Sequence, residues 1–108
     1  MSDQDVWIVL TTVPDARTAE TIAVRLVEER LVACVNRIPG VMSHYRWEDK
    51  ICADAEEVLL MKTTSGRFPA LKTRLLELHP YEAPACTAIP AVAGAEAYEA
   101  WLRAAVRM

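Results

Sequence analysis

The sequence predicts an α+β fold: a four-stranded antiparallel sheet in the split βαβ order, two helices on one of its faces, and a further helix added at the C-terminal end. Three observations carry this. Strand-like apolar runs and helix-spaced apolar residues follow one another as β-α-β-β-α-β-α. The two longest strand-like runs are adjacent, joined by Glu48-Asp49-Lys50, and so make a hairpin. The length, 108 residues, leaves room for one core, so residues 1–108 are read as a single domain.

Val6 to Thr12 is an apolar, β-branched run short enough for a strand buried on both faces. Pro14 disfavours helix at Val13, and Asp15 is placed to cap a helix over about 15–30, in which Ala19, Ile22, Ala23, Leu26, Val27 and Leu31 recur at helical spacing. Val32 to Trp47 reads as strand, interrupted at Pro39-Gly40, where a missing N–H and a permissive glycine predict a bulge or bend. Ile51 to Thr63 returns beside it. Thr64 or Ser65 is placed to cap the second helix, with Pro69 in its first turn and Phe68, Leu71, Leu75 and Leu78 facing inward; His79-Pro80 stops it. Ala85 to Pro90 reads as a strand at an edge, and a closing helix after Gly94 buries Ala97 or Tyr98, Trp101, Leu102 and Ala105.

The hairpin is long for so small a chain. Fifteen or so residues at about 3.3 Å each extend roughly 50 Å, against a radius of gyration near 13 Å for a domain of this length. A projecting tip would carry Tyr45, Trp47 and Ile51 into water, and apolar groups on a projecting ribbon mark an interface. The sheet face without helices needs covering as well, so self-association is expected. The other outcome is that the Pro39-Gly40 break folds the ribbon back over its own helices.

Composition narrows the partners. Apolar residues make up 53%, and 12 basic residues stand against 15 acidic ones for a net charge of −3, the cations scattered along the chain, which argues against nucleic acid. The acidic start is unlike a signal peptide, and no apolar run approaches the roughly 18 residues of a membrane span. Cys34, Cys52 and Cys86 form no Cys-x-x-Cys pair, so reduced thiols and a cytoplasmic location are expected.

No nucleophile elbow, phosphate loop or close Cys–His pair is present, and the chain is read as not an enzyme. His79 is the better of two histidines as a metal ligand, since it ends a helix beside a rigid proline; a protonated ring there would equally complement the helix dipole. Cys34 and Cys86 lie among small or apolar residues, whereas Cys52, near the hairpin tip, is expected to be the exposed thiol able to meet a thiophilic metal. Lys62, with Glu56, Glu57 or Glu82 as candidate partners, joins His79, Tyr81 and Glu82 in a cluster that suits a small polar ligand or a structural salt bridge.

Thr12-Val13-Pro14-Asp15, Leu31-Val32-Ala33-Cys34-Val35-Asn36, Ile38-Pro39-Gly40, Ser43-His44-Tyr45-Arg46-Trp47, Glu57 to Thr63, His79-Pro80-Tyr81-Glu82-Ala83-Pro84 and Tyr98 to Leu102 together resemble the CutA divalent-cation tolerance proteins, over about residues 7–103. The resemblance implies a ferredoxin-like subunit, a tight homotrimer joined through its long strands, and a role in tolerance to copper and other divalent ions. It matches His79 to the histidine of the family's His-Pro-Tyr block, the first choice of Cu(II) ligand. Some members complete a copper site with a Cys before the Thr-x-Pro-Asp motif and a second His; here those places hold Thr11 and Leu78, so a metal at His79 must recruit Glu82, a neighbouring subunit or water. The alternative is a trimer akin to the PII signalling proteins, taking a small anionic effector in intersubunit clefts lined by Lys62, Tyr81, Glu82 and Trp47.

Overall fold

A computed structural model describes residues 2–107. β1 (Val6–Val13), α1 (Ala16–Glu28), β2 (Cys34–Trp47), β3 (Lys50–Thr64), α2 (Phe68–Leu78), β4 (Thr87–Pro90) and α3 (Glu96–Ala105) follow in the predicted order. They build one sheet, β2-β3-β1-β4, in which every pairing is antiparallel. None of the helices is long and apolar enough to cross a membrane, among the described residues.

The main core lies between the sheet and α1 and α2. Val9 and Val13 of β1, Leu59 and Met61 of β3, Ile22 and Leu26 of α1, and Leu71 and Leu75 of α2 meet there with no exposed surface. Asp15 caps α1 as predicted: its Oδ1 accepts from the Thr18 N–H at 2.8 Å, which holds the carboxyl below the usual carboxylate range. The helix ends two residues earlier than expected, because the chain leaves helical geometry at Arg30 (φ 57) to bring Leu31 under the sheet, and Val27 turns out to solvent. Neither Thr64 nor Ser65 caps α2. Thr64 is buried at the end of β3, the Ser65 hydroxyl donates to the Ser2 carbonyl, and Arg67 stands at the cap position without a side-chain capping bond.

Strand alternation assigns the opposite face. Ile8, Leu10 and Thr12 lie beside Lys62, Leu60 and Val58, with Cys34, Asn36 and Ile38 on one flank and Ile89 and Thr87 on the other. At one end of this face α3 packs, forming a second small core of Val6, Ala33, Leu102 and Val106. Only Leu102 of the predicted inner residues is fully enclosed. Tyr98 and Trp101 stay 43% and 49% exposed, because α3 rests on the end of a sheet with nothing beyond it to close over the aromatic side.

At the predicted break, Ile38 pairs with Val58 and Val41 with Glu56, leaving Pro39 and Gly40 opposite Glu57 alone. This is a β-bulge, and Gly40 adopts the left-handed φ of 76° that a side chain would strain. The extra residue reverses the alternation, so Val41, Ser43, Tyr45 and Trp47 join the open face together with Glu56, Asp54, Cys52 and Lys50. The turn is one residue tighter than expected: Glu48 (φ 50) and Asp49 (φ 63) form it alone, and Lys50 opens β3. The ribbon stays paired to its tip and projects instead of folding back, giving extents of 44 × 26 × 23 Å. The surface area, 6787 Å², exceeds the roughly 6,000 Å² expected of a compact monomer of this mass.

Candidate functional site

His79 follows α2, its N–H donating to the Leu75 carbonyl at 2.9 Å, and the residue is 7% exposed. The Tyr81 N–H donates to Nδ1 at 3.2 Å, so Nδ1 carries the lone pair and Nε2–H donates to the Thr12 carbonyl at 2.8 Å. Burial pushes the pKa of the ring below its ordinary value of 6.5. The imidazole is therefore neutral and tied to β1, and does not act as a cation on the dipole of α2. A hollow of about 270 Å³ between α1 and the end of α2 is walled by Arg17, Thr18, Thr21, Ile22, Leu78 and Pro80; His79 is not one of its walls.

Tyr81 leans on the His79 ring, centroids 4.7 Å apart, and its hydroxyl donates to Glu56 Oε2 at 2.5 Å. Further along the hairpin the Tyr45 hydroxyl donates to Asp54. The hydrogen bond to Asp54 pushes Tyr45 up to about 12, and burial followed by the bond to Glu56 raises Tyr81 further. Both phenols stay protonated and serve as donors that hold two carboxylates in place. Sequence reasoning missed both pairs: Tyr81–Glu56 joins the loop after α2 to β3, and Tyr45–Asp54 depends on the hairpin register beyond the bulge in β2, so neither leaves a local pattern.

Cys52 sits on the same face opposite Tyr45, four residues or roughly 13 Å of strand beyond Glu56. Like Cys34 and Cys86, it is half-buried and not the openly exposed thiol expected. Cys86 packs on the main core, and burial raises its thiol pKa. His79 and Cys52 thus belong to different regions of one chain, and no three His, Cys, Asp or Glu side chains come within metal-binding reach of one another among the described residues.

Lys62 does not pair with its expected carboxylates. Glu57 is held by Arg37 at 3.0 Å, Glu56 by Tyr81, and Glu82 is exposed. Instead Lys62 Nζ lies 5.3 Å above the Tyr98 ring, whose hydroxyl is 3.6 Å from Cys34 Sγ. The cause is α3, which crosses the open face and puts an aromatic ring over a lysine that has no acid beside it. Trp47, opposite Lys50, lies twelve residues or roughly 40 Å of strand from Lys62, so one chain does not bring Lys62, Tyr81, Glu82 and Trp47 into a common cleft.

The family model described as CutA1 divalent ion tolerance protein matches residues 7–105. The chain belongs to this family. Among CutA relatives, the divalent-cation tolerance protein CutA of Thermus thermophilus is 51% identical over 96 residues, covering 89% of this chain and 93% of the relative. That of Pectobacterium atrosepticum is 38% identical over 110 residues, covering 99% and 100%. The crystal structure of CutA from Xylella fastidiosa superposes with a TM-score of 0.93 at 41% identity, over 95% of this chain and 99% of that one.

Proposed function

We propose that this CutA-family chain is the subunit of a homotrimer that binds divalent metal ions, Cu(II) first among them, in metal tolerance and without catalysis. The observation that carries the reading is the open sheet face. An apolar stripe of Ile8, Leu10, Ile38, Val58 and Leu60 continues beyond the bulge onto Val41, Tyr45 and Trp47 of a ribbon that its own chain leaves uncovered. A sheet face of this kind is stable in water when a neighbouring copy covers it, and the shared boundaries are then where metal donors from two chains meet. The separated positions of Cys34, Cys52 and Cys86 suit a cytoplasm that keeps thiols reduced.

Within that reading His79 supplies Nδ1. Exchanging the Tyr81 N–H for a metal ion leaves Nε2–H on the Thr12 carbonyl, the kind of outer partner that fixes a metal-bound imidazole in its tautomer. Further donors come from Glu82, from Cys52 of a neighbouring subunit, or from water. Imidazole sites favour Cu(II) over the other divalent first-row ions. Calorimetric titration of Cu(II) into the native protein, His79→Ala and Cys52→Ser tests this: the account expects weakened binding in both variants, and heats equal to the native protein's would remove that residue from the site.

A further inference from the structure

The end of the molecule opposite the hairpin tip gathers positive charge. The chain carries −3 overall, yet four of its nine arginines meet there. Arg67 Nε donates to the Arg30 carbonyl at 3.2 Å, Arg30 Nη1 to the Ala105 carbonyl at 3.4 Å, and Arg103 Nε to the Gln4 carbonyl at 2.8 Å. Arg67, Arg103 and Arg107 wall a hollow of about 250 Å³, with Asp3 as the one carboxylate side chain in its lining among the described residues. Glu99 lies 3.6 Å from Arg103, and Asp5 belongs to the same N-terminal segment, its carbonyl accepting from the Ser65 N–H at 2.8 Å.

The hollow has a fixed wall. The Gly66 N–H donates to the Asp3 carbonyl at 2.9 Å, and a Cβ on Gly66 would come within 2.9 Å of Asp3, so the N-terminal segment is clamped against the turn before α2. Two guanidiniums are anchored through Nε, which leaves both terminal nitrogens of Arg67 and one of Arg103, whose Nη2 faces Glu99, as oriented donors, and the Arg107 side chain makes no hydrogen bond among the described residues. Compensation of helix dipoles accounts for Arg30 and Arg107, which follow the C-terminal ends of α1 and α3. Arg67 also meets the end of α1, through the Arg30 carbonyl, but it stands at the N-terminal end of α2 as well, where a cation is disfavoured. Guanidinium forks bind carboxylate and phosphate oxygens in pairs.

We propose that this hollow binds a small anion with two or more negative charges, of the phosphate and polycarboxylate class. The proposal is independent of metal binding at His79. Calorimetric titration of inorganic pyrophosphate and of citrate, at constant ionic strength and into metal-free protein, tests it. The expected result is saturable binding of one or both, one site per chain, about tenfold weaker in Arg107→Gln. Binding is expected to recover in part with Arg107→Lys and to be unchanged in Arg25→Gln, on the exposed face of α1, and in His79→Ala. Absence of saturable heat with both anions, or equal affinity in Arg107→Gln, overturns the proposal and leaves the arginines as charge compensation.

Discussion

Two threonines in neighbouring strands show how much one hydroxyl decides. Thr63 Oγ1 donates to the Leu31 carbonyl at 2.7 Å and is satisfied; Thr11 Oγ1 is buried with no hydrogen-bond partner among the described residues. An unpaired buried hydroxyl costs about 1–3 kcal/mol, whereas a made bond contributes about 1. Thr11→Val is therefore expected to raise the unfolding free energy by about 1 kcal/mol and Thr63→Val to lower it by about as much, read from urea denaturation. His79 sets a pH dependence at the same scale. Its folded pKa lies below the unfolded value, so the unfolded chain takes up the proton first and stability falls as pH drops below about 6.5 toward the folded pKa. Thermal melts between pH 7.5 and 5 should show this loss in the native protein and a shallower one in His79→Gln.

The hairpin is the element that the sequence describes best and in which small misreadings have the clearest causes. Pro39-Gly40 announced the bulge, because no other residue pair both lacks a donor and accepts a positive φ. The turn reads one residue too long because Glu48 is a poor choice for the first of two consecutive left-handed positions; Asp49 tolerates the second, but Glu-Asp is not one of the glycine-containing pairs that mark a two-residue turn. That mismatch is testable: Glu48→Asn with Asp49→Gly should stabilise the protein by about 1 kcal/mol, seen as a higher denaturation midpoint. The closing helix was harder. Its apolar spacing gives a buried side but not the sheet face it lies on, so the Lys62–Tyr98 contact and the exposure of Trp101 were not legible in the chain.

At the scale of the whole molecule, strand order, core and overhang were legible because each follows from periodicity and length, both local quantities. The candidate site was legible only as residue types: His79 is placed as expected at the end of α2, but its hydrogen bonds to Thr12 and Tyr81 and the Tyr81–Glu56 pair depend on where the loop after α2 lies against β1 and β3, and the Tyr45–Asp54 pair on the hairpin register beyond the bulge. A lone chain with a 44 Å long axis and an apolar stripe along its open face has more surface than its core needs. The account assigns that surplus to contacts between three copies. Sedimentation equilibrium of the metal-free protein at micromolar concentration tests this most directly: it should return three times the 12.0 kDa mass of the chain, and a single species at 12.0 kDa would contradict the account.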